Sequence, residues 1–232
     1  MVLRFLVPVL LAILVSSCEV PRDPNNTLTR IRGGILRVGV IHNAPWAIRS
    51  APEHRGAEVA LVRRFAAELN AHPLWIWGGE HELINSLEQF QLDLVIGGLV
   101  KSSPWGKKVG FTRPFHIDRI LVGTPPSTAP LKKIRGVRIA VGTGHVAAAY
   151  LEKKKAIALP LEDPFEANLP VAASQFLLEK SGFTLTSIEL HREEHVMAAP
   201  PGENAFLMQL ENFLHRNRAS VKTLLLEEKE AP

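Results

Sequence analysis

Residues whose types and spacing could do chemistry fall at a few places in the chain. His191-Arg192-Glu193-Glu194-His195 has the letter order of an H-x-x-E-H zinc motif. Zinc use by that order needs the two histidines one helical turn apart, plus a third ligand. The flanking residues read as strands, where residues four apart lie about 13 Å from one another, so no metal site is expected. Thr143-Gly144-His145 opens a helical pattern. Backbone N–H groups there favour an anion, and His145 adds a ring that titrates near neutrality; a plain helix start explains the same residues. Trp46, after Pro45, and Trp105, between Pro104 and Gly106, are aromatic faces in loops. Either could stack on a ligand, and Trp46 could equally pack over its own strand. Trp75 and Trp77 stand two apart on a strand, share a face, and are assigned to packing. Glu58 reads as a first-turn carboxylate complementing a helix dipole. No G-x-S-x-G elbow or G-x-x-x-x-G-K-[ST] loop occurs, and no cofactor is expected.

These residues need a scaffold. The chain has 232 residues with 46% hydrophobic and 22% charged content, ordinary for a globular protein. A net charge of +4 without a long Lys/Arg block gives no support for nucleic-acid binding. Arg4 and the apolar run from Phe5 to Val15 have the length of a signal-peptide core and are too short to span a bilayer. Residues 1–17 are therefore expected to be a signal peptide. Glu19 to Gly34 is polar and rich in Pro, Asn and Arg, so 18–34 is expected to be a flexible tether.

From Ile35 the pattern turns α/β. Strands are expected at 36–41, 74–77 and 92–96, the last ending at Gly97-Gly98, with helices over 56–70 and 81–89 between them. Val59, Val62, Phe65, Ala66 and Leu69 line one helical face. Strand-helix alternation of this kind implies a parallel sheet covered by helices. Ile117 to Thr124 is extended, apolar and followed by Pro125-Pro126, which suits a chain crossing between lobes. A second unit follows: a strand at 137–141, a helix at 146–155, strands at 169–173 and 183–188 around a helix at 174–180. Val196 to Ala199 would be the return crossing, and 203–217 a final amphipathic helix, with the end of the chain from Leu224 frayed. The organisation expected is lobe one from 35–122 plus 196–232, and lobe two from 123–195.

Several stretches together resemble the extracellular solute-binding proteins of family 3. They are Leu36-Arg37-Val38-Gly39-Val40 with Ala44-Pro45-Trp46; Gly56 to Leu61; Leu92-Asp93-Leu94-Val95-Ile96-Gly97-Gly98-Leu99; Val109 to Phe115; Gly136 to Gly144; and Ala199-Pro200-Pro201-Gly202-Glu203-Asn204. The resemblance implies a two-lobed α/β clamshell, each lobe a mostly parallel sheet flanked by helices, that closes on a solute without covalent chemistry. It places the ligand against Trp46, Gly97, Gly98, Ser102, Trp105, Thr143, Gly144 and His145. It also marks departures. The family's carboxylate-binding arginine falls at Trp105, and its preceding threonine at Ser102. The ammonium-binding aspartate falls near the uncharged Ser174 and Gln175. A zwitterionic amino acid would then be buried without its partners, so the expected ligand is another small molecule, aromatic or cationic. Pro160, Pro164 and Pro170 leave room for one helical turn where the family has a helix, so lobe two is expected to be shortened.

Val15-Ser16-Ser17-Cys18 resembles the lipobox of bacterial lipoproteins, and Cys18 is the only cysteine. The resemblance implies a lipidated Cys18 and a periplasmic or cell-surface protein held on a membrane, monomeric, serving an ABC permease. Two other readings stay open: a dehydratase-type enzyme using His42, Glu58 or His145, and a degenerate lipoprotein that binds a protein partner, its cleft filled by Trp46 and Trp105. Metabolic labelling of the full chain with a tritiated fatty acid is expected to mark the protein, and Cys18→Ser to abolish the label.

Overall fold

The structure is a computed structural model and describes residues 21–227; the expected signal segment, Cys18 and residues 228–232 lie outside the described residues. Two five-stranded mixed sheets, each flanked by helices, form two lobes. The first sheet holds β1 (Ile35–Val40), β2 (His72–Trp77), β3 (Leu94–Ile96), β4 (Gly110–Phe111) and β10 (Ala198–Ala199), in the order β2-β1-β3-β10-β4. β1 pairs in parallel with both β2 and β3, while β10 runs antiparallel between β3 and β4. The second sheet holds β5 (His116–Thr124), β6 (Arg138–Gly142), β7 (Ile157–Leu161), β8 (Val171–Ser174) and β9 (Thr184–His195), in the order β7-β6-β8-β5-β9.

Helix α2 (Ala57–Glu68) buries the face its periodicity marks, Val59, Val62, Phe65 and Ala66. It packs on the long helix α6 (Asn204–Glu227) through Phe65, whose ring lies 6.0 Å from Phe206 and 5.3 Å from Phe213. Short helices α3 (Glu80–Glu88), α4 (Ala147–Lys153) and α5 (Gln175–Lys180) cover the remaining sheet faces. No helix among the described residues is long and apolar enough to cross a membrane.

The chain passes between the sheets twice, at 112–115 and at 196–197. Thr112 N donates to the Met197 carbonyl at 3.0 Å, and Met197 N donates to Thr112 Oγ1 at 3.0 Å, so the two crossings are bonded side by side. The stretch 117–124, expected to be the first crossing, is instead β5, paired on both flanks inside the second sheet. Its apolar alternation reflects burial against β8 and β9.

Two other expectations are corrected. The segment read as a tether is docked from Pro21 on, and includes a helix, α1 (Thr27–Ile31). Asp23 accepts from Ala205 N and Phe206 N at the start of α6, at 2.7 and 3.0 Å, and from Leu28 N at 2.9 Å. The buried Glu203 answers by accepting from Asn25 N and Thr27 N. Each acid thus satisfies the orphan N–H groups at the start of the other's helix. α6 runs on to Glu227, because Val221, Leu224 and Leu225 still find core to bury. A strand, β7, occupies 157–161 despite Pro160; it lies at the sheet edge, where a missing N–H is tolerated. Beyond it only a single 3-10 turn (Phe165–Ala167) precedes β8, as the three prolines imply.

Asp93 locks the first lobe to its N-terminal helix. Its carboxylate is fully buried and accepts from Arg37 N, Nε and Nη2 at 2.9, 3.0 and 2.6 Å, and also pairs with Arg30. Burial alone would raise the Asp93 pKa, but the bonds from Arg37 and Arg30 outweigh it and hold the group below the usual carboxylate range. That contribution is present above the ordinary carboxylate pKa and is lost as pH falls through the folded value. Asp93→Ala is expected to lower stability in urea melts at pH 7 by about 3 kcal/mol, and to flatten the acid side of the stability profile.

Candidate functional site

Where the crossings end, β5 and β9 begin to pair. The antiparallel register sets His116 opposite His195, Asp118 opposite Glu193, and Ile120 opposite His191. Alternate residues of a strand share a face, so these six stand together on one side of the ladder. A cavity of about 370 Å³ opens over the Asp118–Glu193 pair, between the lobes. Asn43, Pro45, Trp46 and Gly98 wall it from lobe one; Asp118, Ile120, Gly144, His145, Ser174, Glu193 and His195 from lobe two.

The cavity is acidic and aromatic. The rings of Trp46 and His195 stack across the lobes with centroids 3.9 Å apart and planes 30° from parallel, and Phe115 meets the same indole edge-on at 6.3 Å. His195 is almost fully buried. Burial, and then His116 beside it, push its pKa down to about 3, leaving a neutral imidazole. The Gly98 main chain faces that ring, yet neither ring nitrogen has a hydrogen-bond partner. Glu193 Oε2 lies 3.9 Å from His195 Nε2, too far for a hydrogen bond. Burial pushes the Asp118 carboxyl up to about 7, with the charge of Glu193 adding to it; the Ser174 hydroxyl and the main chain of Arg119 and Gln175 work the other way. Among the described residues no arginine or lysine lines this cavity.

Of the residues expected to bind ligand, Trp46, Gly98, Gly144 and His145 come together here. Gly97 and Ser102 line an adjoining pocket of about 360 Å³, with His42 and Glu80. Thr143 is exposed and donates its N–H to the Leu161 carbonyl at 3.0 Å. The start of α4 offers no free donor at Ala147, whose N–H goes to His145 Nδ1 at 3.1 Å. Trp105 packs on α3: its indole N–H donates to Glu80 Oε1 at 2.5 Å, and His81 meets its ring at 5.5 Å. It takes no part in the cavity, which Trp46 alone does not fill. Of the acid-base candidates, His42 sits in the adjoining pocket and Glu58 is fully buried, so only His145 reaches the cavity.

Sequence reasoning missed Asp118, Glu193 and His195 as a group. The signal was there in His116-x-Asp118 and Glu193-x-His195, two spacings of i, i+2 on extended segments. The H-x-x-E-H letter order lies on extended backbone, as the flanking residues implied, so His191 and His195 do not meet as a helical pair. His191 belongs elsewhere, stacked on Tyr150 at 4.5 Å.

No family model matches this chain, and no curated protein matches it. Solved structures do. An ancestral cationic amino acid solute-binding protein superposes with a TM-score of 0.73 at 16% identity, over 88% of this chain and 98% of that one. The L-cystine solute receptor of Neisseria gonorrhoeae, in its unliganded open conformation, gives 0.67 at 15%, over 84% and 92%. A binding component of an ABC transporter from Wolinella succinogenes, complexed with lysine, gives 0.61 at 17%, over 84% and 94%. Likenesses at this identity establish the fold, the two-lobed clamshell that the resemblance in the sequence implied.

Glu58 has a different task from the one its position suggests. Its Oε2 accepts from Gly97 N and Gly98 N at 2.6 and 3.0 Å, while Oε1 has no partner. Burial raises its pKa to about 7 against the pull of those two bonds. The folded state therefore holds a proton that the unfolded chain releases nearer pH 4.5. Stability from this group is complete below the unfolded pKa and is lost as pH rises through 7. Urea melts from pH 5 to 8 should show a loss on the order of 3 kcal/mol attributable to Glu58, and Glu58→Gln should remove it, so that the difference between the two proteins shrinks and then reverses with rising pH.

Proposed function

We propose that this chain is an extracytoplasmic solute-binding lipoprotein that captures a small, positively charged solute between its lobes and presents it to an ABC-type importer. The observation that carries this reading is the pair of carboxylates, Asp118 and Glu193, facing each other across the β5–β9 ladder in an interlobe cavity without a lysine or arginine. Like charges placed opposite on adjacent strands disfavour the pairing, and a cation between them relieves the repulsion. A ligand carboxylate would want a guanidinium fork, and the cavity offers none.

The indole of Trp46 adds a face suited to a cation. The crossings at 112–115 and 196–197 are short and mutually hydrogen-bonded, as a hinge requires. The fold neighbours described as a cationic amino acid binder and as a lysine complex support a charged solute as the class. With the anchor at Cys18 and a periplasmic or cell-surface location, the protein would work as a monomer beside a permease.

Thermal shift and isothermal titration on the full chain, across a charge series of organic amines, guanidines, neutral L-amino acids and dicarboxylates, test this. A cationic member should stabilise the protein, by about 2.7 kcal/mol at 100 times its dissociation constant. Preferential binding of a neutral L-amino acid or a dicarboxylate would overturn the reading.

A further inference from the structure

We infer that Asp118, Glu193 and His195 form a binding site for a divalent first-row transition-metal ion in the cavity between the lobes. The inference rests on the reading of that cavity as a cation site, and names a cation more specific than an organic one.

The three residues offer one ligand atom each, two carboxylate oxygens and an imidazole nitrogen, all within 4.8 Å of one another. The β5–β9 register holds them: Asp118 and Glu193 are directly opposed, and His195 stands two residues from Glu193 on the same face. An ion bound at about 2.0–2.1 Å from each would draw the ligand atoms to about 3.4 Å apart, a closure that the half-buried Glu193 can supply by rotation. Asp118 is braced from behind by the Ser174 hydroxyl and by the main chain of Arg119 and Gln175, the kind of support that orients ligating carboxylates.

His195 favours a metal ion over an amine. Its side chain is 3% exposed, and although the Gly98 main chain faces the ring, neither ring nitrogen makes a hydrogen bond of ordinary geometry. Buried polar atoms are nearly always satisfied. An ammonium N–H could donate to the acceptor nitrogen of the neutral ring, but a metal ion bonds that lone pair directly while holding both carboxylates. Two carboxylates balance a divalent charge. One imidazole with two oxygens suits Zn²⁺, Mn²⁺ or Co²⁺, while Ca²⁺ and Mg²⁺ prefer all-oxygen shells. Three protein ligands leave coordination positions open toward Asn43, Trp46 and Gly98 of lobe one.

The probe is Co²⁺ followed by visible absorption, and Zn²⁺ by calorimetry, on the full chain stripped with chelator. One ion per chain should bind at micromolar concentration or tighter, with the absorption bands of a bound Co²⁺. His195→Ala and Asp118→Asn should each weaken it at least tenfold, and Glu193→Gln likewise, with circular dichroism confirming the fold of each variant. His191→Ala should change nothing, since that ring faces Tyr150. Absence of one-to-one binding, binding indifferent to folded His195→Ala and Asp118→Asn, or equal loss in His191→Ala would overturn the site. Should organic cations bind and Zn²⁺ not, this inference falls and the charged-solute reading stands; should Zn²⁺ bind and no organic cation do so, the cavity is a metal site and only an organic cation is ruled out as its solute.

Discussion

Antiparallel pairing of β5 with β9 is the constraint on which the rest of the molecule depends, because the ladder begins where the hinge ends. Phe115 N donates to the His195 carbonyl at 3.1 Å, so the first rung of the lobe-two ladder is also the last bond of the crossing. His116 and Asp118 on one strand, and His195 and Glu193 on the other, are therefore anchored within a few residues of the pivot. Opposed carboxylates disfavour pairing at this point of the ladder. The strands stay paired there because the rest of the ladder runs on to Thr124 and Thr184, with Arg119 and Arg192 on the other face bridged by Glu189. Asp118 and Glu193 are positioned by backbone hydrogen bonds of the ladder rather than by loop closure, so the proposed cation would find its partners in place. Trp46 reaches across from lobe one to stack on His195, so the group that would sense the ligand also touches the opposite lobe.

Lobe one contributes a wall whose donors are already spent. Gly97 and Gly98 hold φ of +131° and +76°, and a Cβ on Gly97 would strike the Ile41 carbonyl, so the turn is open only to glycine. Such a turn at the end of a parallel strand presents N–H groups that suit a carboxylate. Here the carboxylate is the protein's own, Glu58, reaching up from the first turn of α2. An anionic ligand group would have to displace it. The missing guanidinium and the occupied glycine turn thus point the same way: lobe one offers little to a carboxylate, and lobe two offers two carboxylates to a cation.

The α/β pattern was readable in the chain because strand-helix alternation in lobe one is local. The α2 face from Val59 to Ala66 and the short apolar run of β3 both follow from spacing alone. What was not readable depends on partners distant in sequence. The docking of 21–31 rests on Glu203 and Asp93, far along the chain, and a polar stretch full of proline gives no local sign of them. β5 looks like a linker until β8 and β9 are placed beside it. Trp105 was put in the cleft by counting residues from Phe111, and the 3-10 turn Pro104–Lys107 carries it to α3 instead. Asp118 and Glu193 are 75 residues apart, and only the ladder register makes them neighbours.

The tight path between β7 and β8 lies away from the wall that faces lobe one. That path is the Phe165–Ala167 turn, which packs with Phe183 and Leu185. The wall that faces lobe one is built from β5, β9, the end of β8 at Ser174, and the loop at Gly144–His145. β7 still supports that loop, since the Leu161 carbonyl accepts from Thr143 N. The strands and the loop that line the cavity from lobe two are therefore held within the sheet, and the Phe165–Ala167 turn does not line it.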